Sequence, residues 1–202
     1  MKPTEILTSE HRVIEQVLNC LEAIAQKAGS AGRLDRQSAE DAVAFFRNFA
    51  DRCHHGKEET HLFPALEAKG FPRQGGPTGV MLHEHEQGRA HVRGMNENLV
   101  AAAAGDPAAL QQFIADAEGY VTLLREHIYK EDHILFQLAD RTFTPEDQQR
   151  LLDAFQKVEA EEMGIGTHEK YLKIAHDLAG QLGVVDSSPE AVYNHLHCGC
   201  GH

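Results

Sequence analysis

The sequence predicts an all-α fold: an antiparallel, up-down four-helix bundle followed by an additional C-terminal helix and a Cys/His-rich tail. Three observations support this prediction. Apolar residues recur at alternating steps of three and four in four successive segments, the pattern of a buried helical seam. Short connections rich in glycine and proline separate the segments, and such connections favour antiparallel neighbours. The alternation of period two that marks β-strands is weak.

The four segments are bounded by helix-stop and helix-start signals. The first ends at the glycines of residues 29–32, and the second runs from near Asp35 to Pro64, which we expect to kink or end the helix. The loop of residues 70–77 leads to the third segment, and Asp106-Pro107 begins the fourth. The seam residues are Leu7, His11, Ile14, Leu18, Leu21 and Ala25; then Val43, Phe46, Ala50, Leu62 and Ala65; then Met81, His85, Gly88, Val92, Met95, Leu99 and Ala102; and finally Leu110, Phe113, Ala117, Tyr120, Leu124, His127, Glu131, Ile134 and Leu138.

A C-terminal extension follows the four seams, so we divide the chain into residues 1–141 and residues 142–202. Thr144-Pro145 begins a fifth helix, which glycines at 164–166 interrupt and which resumes from Thr167 to about Leu182. The tail carries soft and borderline ligands at high density, so it is a candidate second metal site. Its candidate ligands are His197, Cys198, Cys200 and His202.

The composition narrows the partners and the location. The 202 residues include 19 Lys+Arg and 31 Asp+Glu, and the net charge of −12 argues against a nucleic-acid or anionic-membrane partner. No apolar run approaches the roughly 18–20 residues of a membrane span, and the first residues lack a signal-peptide core. Four cysteines without a secretory signal indicate a cytoplasmic protein. The 14 histidines stand out, because histidine is the commonest metal ligand.

Each of the four seams contains one histidine, and two of these histidines are followed one turn later by a glutamate. Residues four apart on a helix project in the same direction. Buried carboxylates at such positions are very costly unless a cation lies between them, and a pair of metal ions would meet that need. The six residues are His11, His54, Glu58, His85, His127 and Glu131.

Two further patterns place these residues at one level. With a rise of about 1.5 Å per residue, His11 lies roughly 26 Å before the end of its helix and His54 roughly 28 Å after the start of the next. A weak internal repeat carries His54 to His127 and Glu58 to Glu131 with a single offset. The repeat selects His54 over its neighbour His55, which we predict to point about 100° away from the inner pair.

The segment HHGKEETHLFP at residues 54–64 and the segment HIYKED at residues 127–132, with single histidines in the first and third helices, resemble the hemerythrin-like, or HHE cation-binding, family. The resemblance covers roughly residues 5–141. It implies a non-haem centre of two iron ions with an oxo or hydroxo bridge. Other divalent metals are candidates in recombinant material. By the resemblance, the terminal ligands would be His11, His54, His85 and His127, and the bridging carboxylates would be Glu58 and Glu131.

The sequence departs from the oxygen-carrying hemerythrins in the third helix. Those proteins place a second histidine one turn after the first, and here Arg89 occupies that position. The chain uses only four core histidines or recruits another, such as His55 or His168. Asp132 competes with Glu131 for the last carboxylate position, because the oxygen carriers end in a carboxylate five residues after the last histidine. Arg89 is a candidate for stabilising a bound anion such as peroxide.

Two functions from different classes remain open at this point. The first is a di-iron protein that binds or reacts with a small ligand such as oxygen, peroxide or nitric oxide. The alternative is an iron storage, sensing or delivery protein that acts through a partner surface on the C-terminal extension. The sequence leaves open whether the chain is an enzyme. A homodimer is a candidate assembly, because long bundles with an extra helix often associate.

Overall fold

The computed structural model describes residues 1–162 and 166–184, and every regular element within them is helical. Four helical stretches are followed by two more helices. The first stretch is α1 (Pro3–Ala31), and the second joins α2 (Arg36–Phe45), π-helical segments at Phe46–His55 and Glu58–Leu62, and α3 (Phe63–Ala68). The remaining elements are α4 (Pro77–Ala103), α5 (Pro107–Lys130), a π-helical turn at Glu131–Leu135, α6 (Phe136–Thr142), α7 (Pro145–Lys157), a π-helical turn at Val158–Glu162, and α8 (Thr167–Leu182).

Side-chain caps fix two of the helix starts where the sequence predicts them. The carboxylate of Asp35 accepts a hydrogen bond from the Ser38 N–H at 2.9 Å, and Asp106 caps α5 in the same way. At the end of α1, Gly32 adopts φ +68°, a left-handed conformation that costs glycine little.

The long helices pack side by side, with α1 and α4 each against α5 and with α2 against α4. Lys2 pairs with Asp140 and Asn19 accepts from Arg125, so α1 runs opposite to α5 and α6. The helix α8 lies against α1 and α2, where Tyr171 joins the core. None of the helices in the described residues is both long and apolar enough to span a membrane.

The π-helical turns shift the apolar seam by one residue. In the turn after α5, the Phe136 N–H donates to the carbonyl of Glu131, five residues earlier. Leu135 is therefore buried, while Ile134, which the sequence places in the seam, is 60% exposed. Leu138 is half-buried. The predicted seam is wrong beyond Glu131, because an α-helical period does not include the extra residue.

The second π-helical turn has the same effect at the matching position of the repeat. Here the Phe63 N–H donates to the carbonyl of Glu58, and Leu66 is buried where Ala65 was predicted. The helix continues past Pro64 to Ala68, because this proline stands in the first turn of α3, where its missing N–H does least harm.

Candidate metal centre

Two buried groups of histidine and carboxylate side chains lie next to each other between the helices. In each group the ligand atoms all lie within 4.8 Å of one another, and Glu58 belongs to both groups. The six residues that the sequence singles out are all among them. The first group is His11, His54, Glu58 and Glu131, and the second is His55, Glu58, His85 and His127.

Glu58 and Glu131 each lie between imidazoles from different helices. Oε1 of Glu58 is 3.7 Å from Nε2 of His54, and Oε2 is 3.6 Å from Nε2 of His85. Oε2 of Glu131 is 3.2 Å from Nε2 of His11 and also 3.2 Å from Nε2 of His127. Each carboxylate therefore lies between an imidazole of the first group and an imidazole of the second.

Most of the polar atoms that face the centre of these groups lack hydrogen bonds, and the exception is a contact of 3.1 Å between Nε2 of His85 and Nε2 of His127. Both side-chain oxygens of Glu58 and of Glu131 are buried without a hydrogen-bond partner, as is Nε2 of His11 and of His54. Leaving a buried polar group unsatisfied costs about 1–3 kcal/mol, and more for a charged one. Imidazole nitrogen and carboxylate oxygen together suit iron, so the side chains present fit such a metal ion.

The electrostatics of the two carboxylates differ. Burial and the neighbouring Glu131 raise the pKa of Glu58 well above its ordinary value. Burial also opposes ionisation of Glu131, but His127 and His11 lower its pKa well below the ordinary value. Burial opposes the charge on His127, yet Glu131 and Glu84 raise its pKa to about 9. Without metal, His127 therefore keeps its proton near neutral pH, and Glu58 is harder to ionise than an ordinary carboxyl group.

Each of the four seam histidines has its second ring nitrogen next to a carboxylate from another helix. Such partners fix the ring orientation and the tautomer, and they leave Nε2 directed toward the centre. Sequence reasoning missed three of these four carboxylates, because their contacts cross between helices. The Nδ1–oxygen pairs are His11–Asp132 at 2.8 Å, His54–Glu10 at 2.9 Å, His85–Glu59 at 2.7 Å and His127–Glu84 at 2.9 Å.

Asp132, the alternative to Glu131 as a ligand, belongs to neither group and is hydrogen-bonded to Nδ1 of His11. A signal for the missed carboxylates was present in the sequence, because the same kind of offset that relates the histidines carries Glu10 to Glu84. Lys57 and Lys130 also correspond in the repeat, and they pair with Glu10 and Glu84, respectively.

His55, which the sequence offers as an additional ligand, lies in the second group, although the direction predicted for its side chain differs. It is 4% exposed, and its ring stacks on that of His85 with centroids 3.8 Å apart. The prediction that His55 points away is wrong, because the π-helical segment Phe46–His55 turns both His54 and His55 inward. Local π-helix is frequent at functional sites.

Arg89 lies beside the second group but is not a member of it. Its guanidinium donates to Asp51 at 2.8 Å, to Glu59 at 2.6 Å and to Glu86 at 2.6 Å. Glu59 in turn holds Nδ1 of His85. Three carboxylates therefore already pair with the guanidinium, and the predicted role of Arg89 toward a bound anion stays a prediction.

His168 does not reach either group. It forms a separate cluster with Glu10 and Glu159, in which its Nε2 lies 3.8 Å from Oε1 of Glu10. Lys57 pairs with both of these carboxylates and so already compensates their charge. The candidate tail ligands His197, Cys198, Cys200 and His202 lie outside the described residues.

The fold and the site together define an all-helical protein with buried histidine and carboxylate groups that can hold metal. Residues 2–139 match the hemerythrin HHE cation-binding domain, so the chain belongs to the hemerythrin HHE family, as the resemblance predicts, and this membership implies metal binding. No solved structure matches the chain.

The chain is also similar to several curated proteins. It is 22% identical over 184 residues to uncharacterized proteins of Mycobacterium bovis and Mycobacterium tuberculosis, covering 91% of this chain and 71% of theirs. It is 38% identical over 94 residues to the iron-sulfur cluster repair protein YtfE of Musicola paradisiaca, covering 44% of this chain and 40% of that protein.

Proposed function

We propose that the chain is a non-haem di-iron protein that binds or reacts with a small ligand such as oxygen, peroxide or nitric oxide. The observation that carries the proposal is the position of Glu58, whose two unsatisfied oxygens each approach a different group of imidazoles. Residues 1–141 would form the antiparallel, up-down four-helix bundle around the centre, and residues 142–202 would be the C-terminal extension.

The proposed ligand set divides unequally between the two ions. His11 and His54 would hold one ion, while His85 and His127, with His55 beside them, would hold the other. Glu58 and Glu131 would be shared. When bound, the iron pair supplies electrons and an open coordination position for a small ligand.

The protein contributes orientation and the exclusion of water. The four carboxylates that contact the histidine Nδ1 atoms fix the orientation of the imidazole rings. Phe136 stacks on His11 with centroids 5.4 Å apart, and Phe63 packs near His85 at 5.8 Å. These rings close the centre on its apolar side, so a ligand there would meet little bulk water.

A second candidate function is iron storage, sensing or delivery through the C-terminal extension. It is supported by the similarity to a protein named for iron-sulfur cluster repair. It is also supported by Lys57, which connects Glu159 of the extension to Glu10 behind His54. This candidate predicts labile iron, whereas the first predicts tightly held iron with a spectrum that responds to ligands.

One experiment tests both candidates. The protein is purified from iron-supplemented cells, its iron per chain is counted, and its absorption spectrum is recorded with oxygen, peroxide and nitric oxide, before and after exposure to a chelator. Two retained iron ions and a ligand-sensitive charge-transfer band would support the first candidate. Rapid loss of iron to the chelator, with no response to ligands, would support the second. Wild-type protein that takes up no iron would rule out both.

Two further predictions concern the location of the protein in the cell and its oligomeric state. We propose a cytoplasmic location, which fractionation of the source cells tests directly. We also retain the homodimer as a prediction, and sedimentation of the metal-loaded protein would show whether it forms.

A further inference from the structure

A cleft of about 550 Å³ opens between the π-helical segment Phe46–His55 and α4. A volume of this order is typical of small-molecule sites. His55 lines this cleft and is also a member of the second metal-binding group, so the cleft adjoins the centre. Four arginines also line it: Arg47, Arg52, Arg89 and Arg93.

Three of these arginines are uncompensated. Arg47, Arg52 and Arg93 are exposed and make no ion pair with any residue that the structure describes. The acidic side chains lining the cleft are Asp51, which is paired with Arg89, and Glu97. The cleft therefore concentrates positive charge on a chain whose net charge is −12. Guanidinium groups match the geometry of carboxylates and other oxyanions.

A buried polar atom provides the second, independent observation. His55 is 4% exposed, and its Nδ1 makes no hydrogen bond, although Oδ1 of Asp51 lies 3.5 Å away. Buried polar atoms are nearly always satisfied. His55, which lines the cleft, therefore retains the capacity to bind a further partner.

We propose that this cleft binds a small oxyanion, held by Arg47, Arg52 and Arg93 next to His55. Inorganic oxyanions and carboxylates share the required chemistry, a compact negative group with acceptor oxygens in one plane or on one face. Binding of the anion depends on the cleft alone. Its use as the route by which a ligand reaches the metal centre rests on the proposed function.

The test uses the full chain without metal, so that it is independent of iron loading. Nitrite, inorganic phosphate and acetate are titrated separately at constant ionic strength maintained with chloride, and the arginine Nε–Hε resonances are followed by NMR. At least one probe is expected to give saturable shifts. Removing one charge, in Arg52→Gln or Arg93→Gln, should weaken binding about tenfold or more, the effect of one charge-assisted hydrogen bond. Arg141→Gln, which removes an exposed arginine on α6, is the matched control and should have no effect.

A second pair of variants tests whether the anion needs the open volume of the cleft, and it leaves the arginines unchanged. A Cβ at Gly56, which lines the cleft in helical conformation, would meet no atom within 4 Å, so we expect Gly56→Leu to fold and to occupy part of the cleft. Gly180→Leu on α8 is the control, because it is equally unobstructed and lies elsewhere. Loss of binding in Gly56→Leu alone supports the proposal. Linear shifts with all three probes, or equal weakening in the control variants, would overturn it whether or not the protein holds iron.

Discussion

Nζ of Lys57 lies 2.5 Å from Oε1 of Glu159. This ion pair connects the second helical stretch to the C-terminal extension. Lys57 is completely buried and also pairs with Glu10, whose other oxygen holds Nδ1 of His54. Burial opposes ionisation of Glu10, but Lys57, His168 and His54 lower its pKa well below the ordinary value. The extension therefore completes the charge balance behind one side of the metal centre.

Replacing this lysine should strongly destabilise the metal-free protein. Lys57→Met leaves the buried Glu10 uncompensated, and removing one partner of a buried ion pair costs about 3–5 kcal/mol. The matched control is Lys130→Met, at the corresponding position of the repeat. Its pair with Glu84 is partly exposed, so the loss should be about 1 kcal/mol. Urea unfolding measures both variants, and equal losses would contradict the account.

Neutralising Glu58 and neutralising Glu131 should have different effects on the stability of the metal-free protein. Glu58→Gln replaces a carboxyl group whose ionisation is opposed by burial and by Glu131, so the metal-free protein should lose little stability. Glu131→Gln removes a charge that pairs with His127 and His11, so the metal-free protein should unfold at lower urea. Both variants should lose iron binding. Retention of two iron ions by either variant would exclude that carboxylate as a bridge.

Iron uptake should release protons. Glu58 and His127 have raised pKa values without metal, and both must be deprotonated to bind it. The apparent iron affinity should therefore rise with pH and level off as the pH passes about 9, the pKa of His127. Calorimetric titrations in two buffers of different ionisation enthalpy measure the released protons. An affinity that is constant from pH 6 to about 9 would refute this assignment.

Arg89 should act through Glu59. Arg89→Leu frees Glu59 from its cation, so His85 should be held less firmly and iron affinity should fall about tenfold, as for other residues behind metal ligands. Arg125→Leu is the control, because this arginine pairs with Glu22 at the surface. Arg89→Lys should restore part of the affinity. Unchanged iron affinity with slower decay of peroxide would instead restore the role toward an anion that the sequence indicates.

Much of the fold follows from local rules that operate along one helix. The caps at Asp35 and Asp106 begin helices where the sequence predicts, and the alternating steps of three and four identify the buried residues of α1 and α4. The same rules place His54 and Glu58 on one face. The six side chains that these rules single out all lie in the two buried groups.

The wrong or missing predictions have two physical causes. An assumed α-helical period cannot anticipate π-helical turns, which place Ile134 outside and bring His55 inside. Contacts between helices are also absent from a single-helix pattern, so Glu59 and the role of Arg89 emerge only when the helices are packed.

The central claim is that two ions lie on either side of Glu58, and the most direct test is a crystal of the iron-loaded protein measured at the iron absorption edge. The account predicts two anomalous peaks, one among His11, His54 and Glu131 and the other among His55, His85 and His127. A single peak, or a peak only at the Glu10, Glu159 and His168 cluster, would contradict it.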